Sequence, residues 1–529
     1  MKFNTLTTAS LLAATLLASS CSKDFLDRPP QGQIVIEEFY KTPAELRIVT
    51  AGLYCRPWFE FNYPFIVDVG ETMSGNAFAS FNPRFGYVNL TVPEGEGGIQ
   101  YGWSGLFNVV AHSNTVVNNV ARFTPATVPA AIKNGAVAEA RFMRATAYFY
   151  LVRIWGAVPI ITDNSALLEN PMVPRNTVTD VYRFIIEDLT YAAENLPATD
   201  TPGRVTSWGA KGMLSKVYLT RAGIAQNGTR LQADLDKARD MAADVVNNSK
   251  LTLMPNYYDL FLRKNENNPE SLFALQWVYN GGWGSQNNMQ SYLAPDSRVT
   301  GLGDGWNNIS PTYDLYQNFE ANGDNVRRKA TMFLNADVYP ELTTPALPNG
   351  YTMTATQPAF KKYVIGGPTA PGNDGQVGSL NTDINTYILR LSDVYLTHAE
   401  AILGNNASTT DAAALASFNK VRTRAGLTAA TSIDQMSMLR ERRSEFGMEG
   451  QFWFDLLRLN DYNPSAAIAY VSKQHRNTFN YTPAAAVKVT EPANIVTVTP
   501  TANSFKLPYP LVERQTNPKL SEEPVPYYK

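Results

Sequence analysis

The sequence predicts a mainly α-helical fold: a tetratricopeptide-like scaffold of helix pairs with loop-rich inserts and a few short strands. Three observations predict it. Apolar residues recur at helical spacing over long segments. Several of these segments set small residues beside large aromatics, as in Ala147-Tyr148, Val217-Tyr218 and Tyr395 with Ala399. Stacked helix pairs pack in this way, each small residue admitting a neighbour's bulky one. Two stretches, about 61–102 and 270–380, lose the period and fill with Gly, Pro, Asn and aromatics, the composition of loops.

The elements follow in order. Residues 1–20 read as a signal peptide, with Lys2 as a minimal basic start and an apolar run from Leu6 to Ala18 that is short for a membrane span. Leu17-Ala18-Ser19-Ser20-Cys21 resembles a bacterial lipobox. Cleavage before Cys21 would leave it acylated, and the buried methylenes of its chains would hold the protein on a membrane. No later stretch reads as a transmembrane helix, so the expectation is a protein anchored rather than spanning. Residues 21–33, with Pro29-Pro30 and Gly32, form a tether, and 34–529 form one unit.

Within that unit the scaffold occupies about 34–60, 103–260 and 385–460. Thr42-Pro43-Ala44-Glu45 is a helix start, with Thr42 as cap, Pro43 at the first position and Glu45 reaching back; Pro57 stops it. Further helices are expected at about 103–121, 133–155, 177–195, 207–223, 231–247, 385–404, 411–425, 433–447 and 450–459. In the 385–404 segment Ile388, Leu391, Tyr395, His398 and Ile402 form one apolar stripe, which makes His398 a core histidine. The tail, about 461–529, reads as irregular.

Composition excludes several functions. Of 529 residues, 45 are Lys or Arg and 47 are Asp or Glu, a net charge of −2. Nucleic-acid binding needs a basic surplus, and none is present. The chain is 44% hydrophobic and 17% charged, a globular rather than a disordered balance. It has two cysteines. With Cys21 acylated, Cys55 is expected as a free, buried thiol, and the fold must stand without a disulfide. Cys-rich zinc sites are excluded, and His112, His398 and His475 are far apart in sequence, so no metal or other cofactor is expected. No phosphate-binding Gly loop, H-E-x-x-H or G-x-S-x-G motif occurs, which argues against catalysis.

What remains is aromatic enrichment in the two inserts. Sugar rings offer C–H faces that stack on flat aromatic rings, while amide, carboxylate and guanidinium groups bond hydroxyls. The candidates in the second insert are Trp306, Trp283, Tyr292 and Tyr313, with Asn307 beside Trp306; Gly303 and Gly305 keep the backbone there slim. The first insert adds Phe81, Arg84 and Tyr87, with Asp68 and Asn76 as polar candidates.

The charged run Arg440-Glu441-Arg442-Arg443-Ser444-Glu445, followed by Glu449, Asp455 and Arg458, has helical ion-pair spacing at Arg442–Glu445 and Asp455–Arg458. It reads as structural salt bridges between neighbouring helices. The stretch Glu441 to Arg458 (ERRSEFGMEGQFWFDLLR) resembles a signature of the SusD/RagB family of outer-membrane nutrient-binding lipoproteins, with Gln451 near the place where that family usually has Arg. Cys21–Leu26 (CSKDFL), Ala138–Pro159 (AEARFMRATAYFYLVRIWGAVP), Tyr387–Leu403 (YILRLSDVYLTHAEAIL) and the tail near Asn517-Pro518 resemble further family segments in the same order. The resemblance implies a tetratricopeptide-like scaffold with a loop-built binding face and no catalysis. It implies a surface-exposed lipoprotein of the outer membrane that captures an oligosaccharide, or in some branches a peptide, for a SusC-like TonB-dependent transporter. A secreted glycan-degrading enzyme is the alternative.

Overall fold

The computed structural model describes residues 36–79 and 84–528. Cys21 and Phe81 lie outside the described residues. The scaffold is a series of helices packed in chain order, in the segments where the sequence period predicts them. The main helices are α1 (Pro43–Ala51), α2 (Gly97–Phe123), α3 (Ala130–Trp155), α4 (Val178–Asn195), α5 (Ser207–Arg221), α6 (Gln232–Asn248), α7 (Leu391–Leu403), α8 (Ala412–Arg424), α9 (Gln435–Phe446) and α10 (Phe452–Tyr462). The start of α1 is a reciprocal cap: Thr42 Oγ1 accepts from Glu45 N–H at 3.3 Å, and Glu45 Oε2 accepts from Thr42 N–H at 2.8 Å.

Successive helices stack side by side. α3 packs between α2 and α4, α5 between α4 and α6, and α7 between α6 and α8. The small positions do what the sequence implies: Ala138, Ala140, Ala145 and Ala147 of α3 are fully buried, beside the buried rings of Phe142, Tyr148 and Phe149.

The expected helix at 385–404 is shorter. Thr386–Arg390 is a strand that pairs antiparallel with Ser271–Leu275, and the helix begins only at Leu391. β-Branched and aromatic residues at Thr386, Tyr387 and Ile388 favour the pleated form, and all five strand residues are buried. Ile388 therefore leaves the helical stripe. His398 stays in the core, with Nδ1 2.8 Å from Ser417 Oγ.

The first insert differs more. Phe61–Phe65 and Asp68–Thr72 are wide-turned helical segments, not loop. Their aromatics point inward: Phe61 and Phe65 are fully buried, and Phe65 stacks on Trp155 with centroids 5.7 Å apart and planes 4° apart. The backbone at Gly70 lies so close to Gly450 that a Cβ there would meet Gly450 Cα at 2.4 Å. In the second insert, helices at Tyr313–Glu320 and Asn325–Thr331 appear that the sequence period did not announce, and Pro464–Val471 is a helix within the tail.

The charged signature is an internal framework. Arg442 donates to Asp455 and Asp393, each at 2.8 Å, and Arg458 donates to Asp455 at 2.9 Å. The expected Arg442–Glu445 pair is replaced: Glu445 accepts instead from Arg390, Arg327 and Arg424, which reach it from other elements. Gln451 takes a neutral role, accepting from Lys216 Nζ at 2.6 Å.

Candidate functional site

The two inserts meet at a strand pair. Ala77–Ala79 of the first pairs antiparallel with Ile309–Pro311 of the second, in the register Ala79↔Ile309. This places the end of the first insert's strand beside the chain that leaves Trp306.

Trp306 stands on a loop shaped by glycine. Gly301, Gly303 and Gly305 all have positive φ, and a Cβ on Gly305 would meet Asp296 O at 2.5 Å. No other residue fits that position. The loop is sewn to the short helix Met289–Leu293 and its end. Trp306 N–H donates to Ser291 O at 3.0 Å, Asn307 N–H to Ala294 O at 3.1 Å, and Asn308 N–H to Tyr292 O at 3.0 Å. The indole is 43% exposed and meets Tyr292 edge-on, with centroids 5.1 Å apart. Trp306 and Tyr292, chosen separately from the sequence, are one unit.

Trp283 is the most solvent-exposed of the candidates among the described residues, at 64%. Its loop turns through positive φ at Asn280, Gly282 and Gly284. Beneath it, Phe59 packs edge-on against the indole at 5.5 Å, and Arg56 Nη2 donates to Trp283 O at 3.0 Å. Cys55 Sγ lies 3.2 Å from Ser285 O in the same loop; the thiol is free and half-buried rather than buried, and burial pushes it up to about 11. Tyr279, half-buried against the Gly378 turn, adds a further ring.

The other candidates are placed differently. Asn307 uses both ends of its amide within the fold, donating to Pro358 O at 3.3 Å and accepting from Ser310 Oγ at 3.1 Å. Tyr313 is half-buried against Tyr316 and Phe479 and seats the tail. Asn76 is buried: its amide donates to Glu71 at 2.8 Å and accepts from Arg443 at 2.7 Å. Tyr87 is buried with its hydroxyl on Glu96, and burial raises its pKa. Asp68 is buried 3.3 Å from Arg84 Nε; burial pushes its carboxyl up to about 7, with Arg84 opposing and Glu96 adding to the rise. Arg84 is itself buried. These four are internal supports of the first insert, because their polar groups face Glu71, Glu96, Arg443 or one another inside the fold. The sequence missed Phe59, Arg56 and Tyr279; only the Gly-Gly-Trp-Gly run at 281–284 signalled that loop.

Concavity is a poor guide to this face. A cleft of about 630 Å³ lies elsewhere, on the helical side, lined by residues that include Trp103, Phe107, Leu167 and Glu513. A stacking platform is flat and encloses no volume. Among the described residues no group of His, Cys, Asp and Glu is arranged to hold a metal.

Residues 269–528 match the model of the SusD family, and residues 60–219 match one described as starch-binding associating with outer membrane. A SusD-like protein of Bacteroides ovatus is 41% identical over 540 residues, covering 98% of this chain and 97% of that protein. The chain belongs to the SusD family. A solved structure determined with xylogluco-oligosaccharide shares 41% identity with this SusD-family chain, at a TM-score of 0.84, covering 92% of it and 99% of the solved chain. A SusD superfamily protein from Parabacteroides distasonis, 23% identical with a TM-score of 0.70 over 90% and 98% of the two chains, shows the same fold. No helix among the described residues is long and apolar enough to cross a membrane.

Proposed function

We propose that this SusD-family protein binds oligosaccharides of the xyloglucan type on the face that presents Trp283 and Trp306. It does so without cleaving them, and hands them to a SusC-like TonB-dependent transporter in the outer membrane. Cys21 serves as its acylated anchor at the cell surface. The observation that carries the reading is the pair of exposed indoles. Trp283 is held at its carbonyl by the Arg56 guanidinium and Trp306 at its N–H by Ser291 O, and each has an edge-on aromatic partner, so each presents an apolar ring at little entropy cost on binding. The glycan class is supported by the 41% identical structure solved with xylogluco-oligosaccharide.

The test is isothermal titration of Trp306→Ala and Trp283→Ala with xylogluco-oligosaccharide. Loss of stacking, about 0.5–1.5 kcal/mol beyond area burial, weakens binding about tenfold once the buried ring area is added. The melting temperature changes little. Undiminished affinity in both variants overturns the reading, and shortened products on incubation overturn the non-catalytic role.

A further inference from the structure

Ser291 joins the loops that carry the two indoles. It lies buried in the short helix Met289–Leu293. Its carbonyl oxygen accepts from Trp306 N–H at 3.0 Å and from Gly305 N–H at 3.2 Å. Its hydroxyl donates to the Asp304 carboxylate and accepts from Leu380 N–H at 2.8 Å. Asp304 is 2% exposed and sits inside the Trp306 loop. Leu380, at φ 54°, is the left-handed turn residue between the paired strands Val377–Gly378 and Asn381–Thr382.

That hairpin holds the Trp283 loop. Asn381 Nδ2 donates to Asn280 Oδ1 at 2.9 Å, and Asn287 and Thr382 exchange backbone hydrogen bonds at 2.8 and 2.9 Å. One residue is therefore bonded to the Trp306 loop by its carbonyl and through Asp304, and to the support of the Trp283 loop by its hydroxyl. A hydroxyl donating to a carboxylate makes a short, charge-assisted bond about twice as strong as a neutral one. Deep burial strengthens it further. The joint is stiff.

We propose that Ser291 and Asp304 are positioning residues that hold the Trp283 and Trp306 loops in fixed register, so that an oligosaccharide long enough to lie on both indoles is favoured over a short one. The inference rests on the glycan reading given above. Two platforms in fixed register act as linked sites. The second engagement is intramolecular, and its gain disappears when the geometry loosens. A short ligand that covers one indole draws nothing from the joint.

The experiment titrates a one-repeat and a two-repeat xylogluco-oligosaccharide into wild type, Ser291→Ala, Ser291→Thr, Asp304→Asn and Trp306→Ala. Wild type favours the longer ligand by about tenfold or more. Ser291→Ala and Asp304→Asn lower that ratio below about threefold by weakening the longer ligand, while Ser291→Thr, which keeps the hydroxyl, restores it. If Ser291→Ala does not fold, the isosteric Asp304→Asn decides. A merely structural residue would shift the melting temperature or weaken both ligands alike and leave the ratio untouched; that result overturns the proposal, as does a wild-type ratio near one. Trp306→Ala separates the two levels. If it binds both ligands like wild type, the glycan reading falls and this inference with it. If it binds weakly while Ser291→Ala keeps the wild-type ratio, only the positioning inference falls.

Discussion

Glu445→Gln tests whether the buried ion network is balanced charge for charge. Glu445 is buried, and its carboxylate accepts from Arg390 at 3.0 Å, from Arg327 at 3.2 Å and from Arg424. Burial alone would raise its pKa, but Arg424, Arg390 and Arg327 hold it well below the usual carboxylate range. Following the ion pairs outward closes a cluster in which the cations Arg327, Lys362, Arg390, Arg422 and Arg424 face the anions Glu270, Asp324, Glu441, Glu445 and Glu449. The cluster is neutral. The Gln side chain has nearly the same shape, so the substitution leaves one buried positive charge uncompensated and little else changed. Removing one partner of a buried pair costs about 3–5 kcal/mol. An unfolding entropy of about 2.1 cal/mol/K per residue over roughly 500 residues is about 1 kcal/mol/K, so the expected fall in Tm is about 3–5 °C. Thermal and urea unfolding at neutral pH read it. Glu445→Gln combined with Arg424→Met restores neutrality and should cost clearly less than the sum of the two single variants. A Tm within about 1 °C of wild type for Glu445→Gln, or strict additivity in the double variant, would refute the neutrality argument.

Two further outcomes are expected. Asp68 has a folded-state pKa of about 7 against an ordinary 3.8, so the folded protein holds a proton that the unfolded chain has released between those values. Its destabilising contribution is absent below about pH 4, grows as pH rises, and is full above about pH 7, at most about 4 kcal/mol. Asp68→Asn should therefore raise Tm relative to wild type at pH 8 and lose that advantage near pH 4; the opposite trend in a pH series of melts contradicts the burial argument. Gly70→Ala drives a Cβ to 2.4 Å from Gly450 Cα and 2.7 Å from Gly450 O. Backbone cannot yield cheaply, so the loss is about 3 kcal/mol or more, whereas Gly52→Ala, in right-handed helical conformation with nothing within 4 Å, should be neutral or slightly stabilising in the same unfolding assay.

The parts of the molecule that were legible in the sequence are those in which local pattern and global packing coincide. α3 reads as a helix because its long run of Ala and aromatic residues after Gly135 holds no breaker, and its C-terminal two-thirds is then buried on nearly every side. α1 announces its own start because every atom of its cap lies within four residues. Legibility fails where the partner is distant. Thr386–Arg390 takes the form of a strand because Ser271–Leu275, more than a hundred residues earlier, lies alongside it. Phe61 and Phe65 look like loop aromatics until α2 and α3 close over them. The proposed binding face shows both cases at once. Gly301, Gly303 and Gly305 mark the Trp306 turn locally, and Gly281, Gly282 and Gly284 mark that of Trp283. The atoms that hold these turns come from Arg56, Phe59, Ser291 and Leu380, ordinary residues with no spacing relation to either tryptophan. Asn76 and Asp68 show the converse, since a polar residue in an aromatic-rich insert is equally suited to bind a ligand hydroxyl or to accept from a buried guanidinium, as Asn76 does from Arg443, or to pair with one, as Asp68 does with Arg84. Only the direction of the side chain decides, and the partners that receive it, Arg443 for Asn76 and Arg84 for Asp68, are brought alongside only by folding. In a fold of this kind the rings that face solvent can be nominated from turn chemistry, while the residues that aim them are fixed by contacts that exist only after folding.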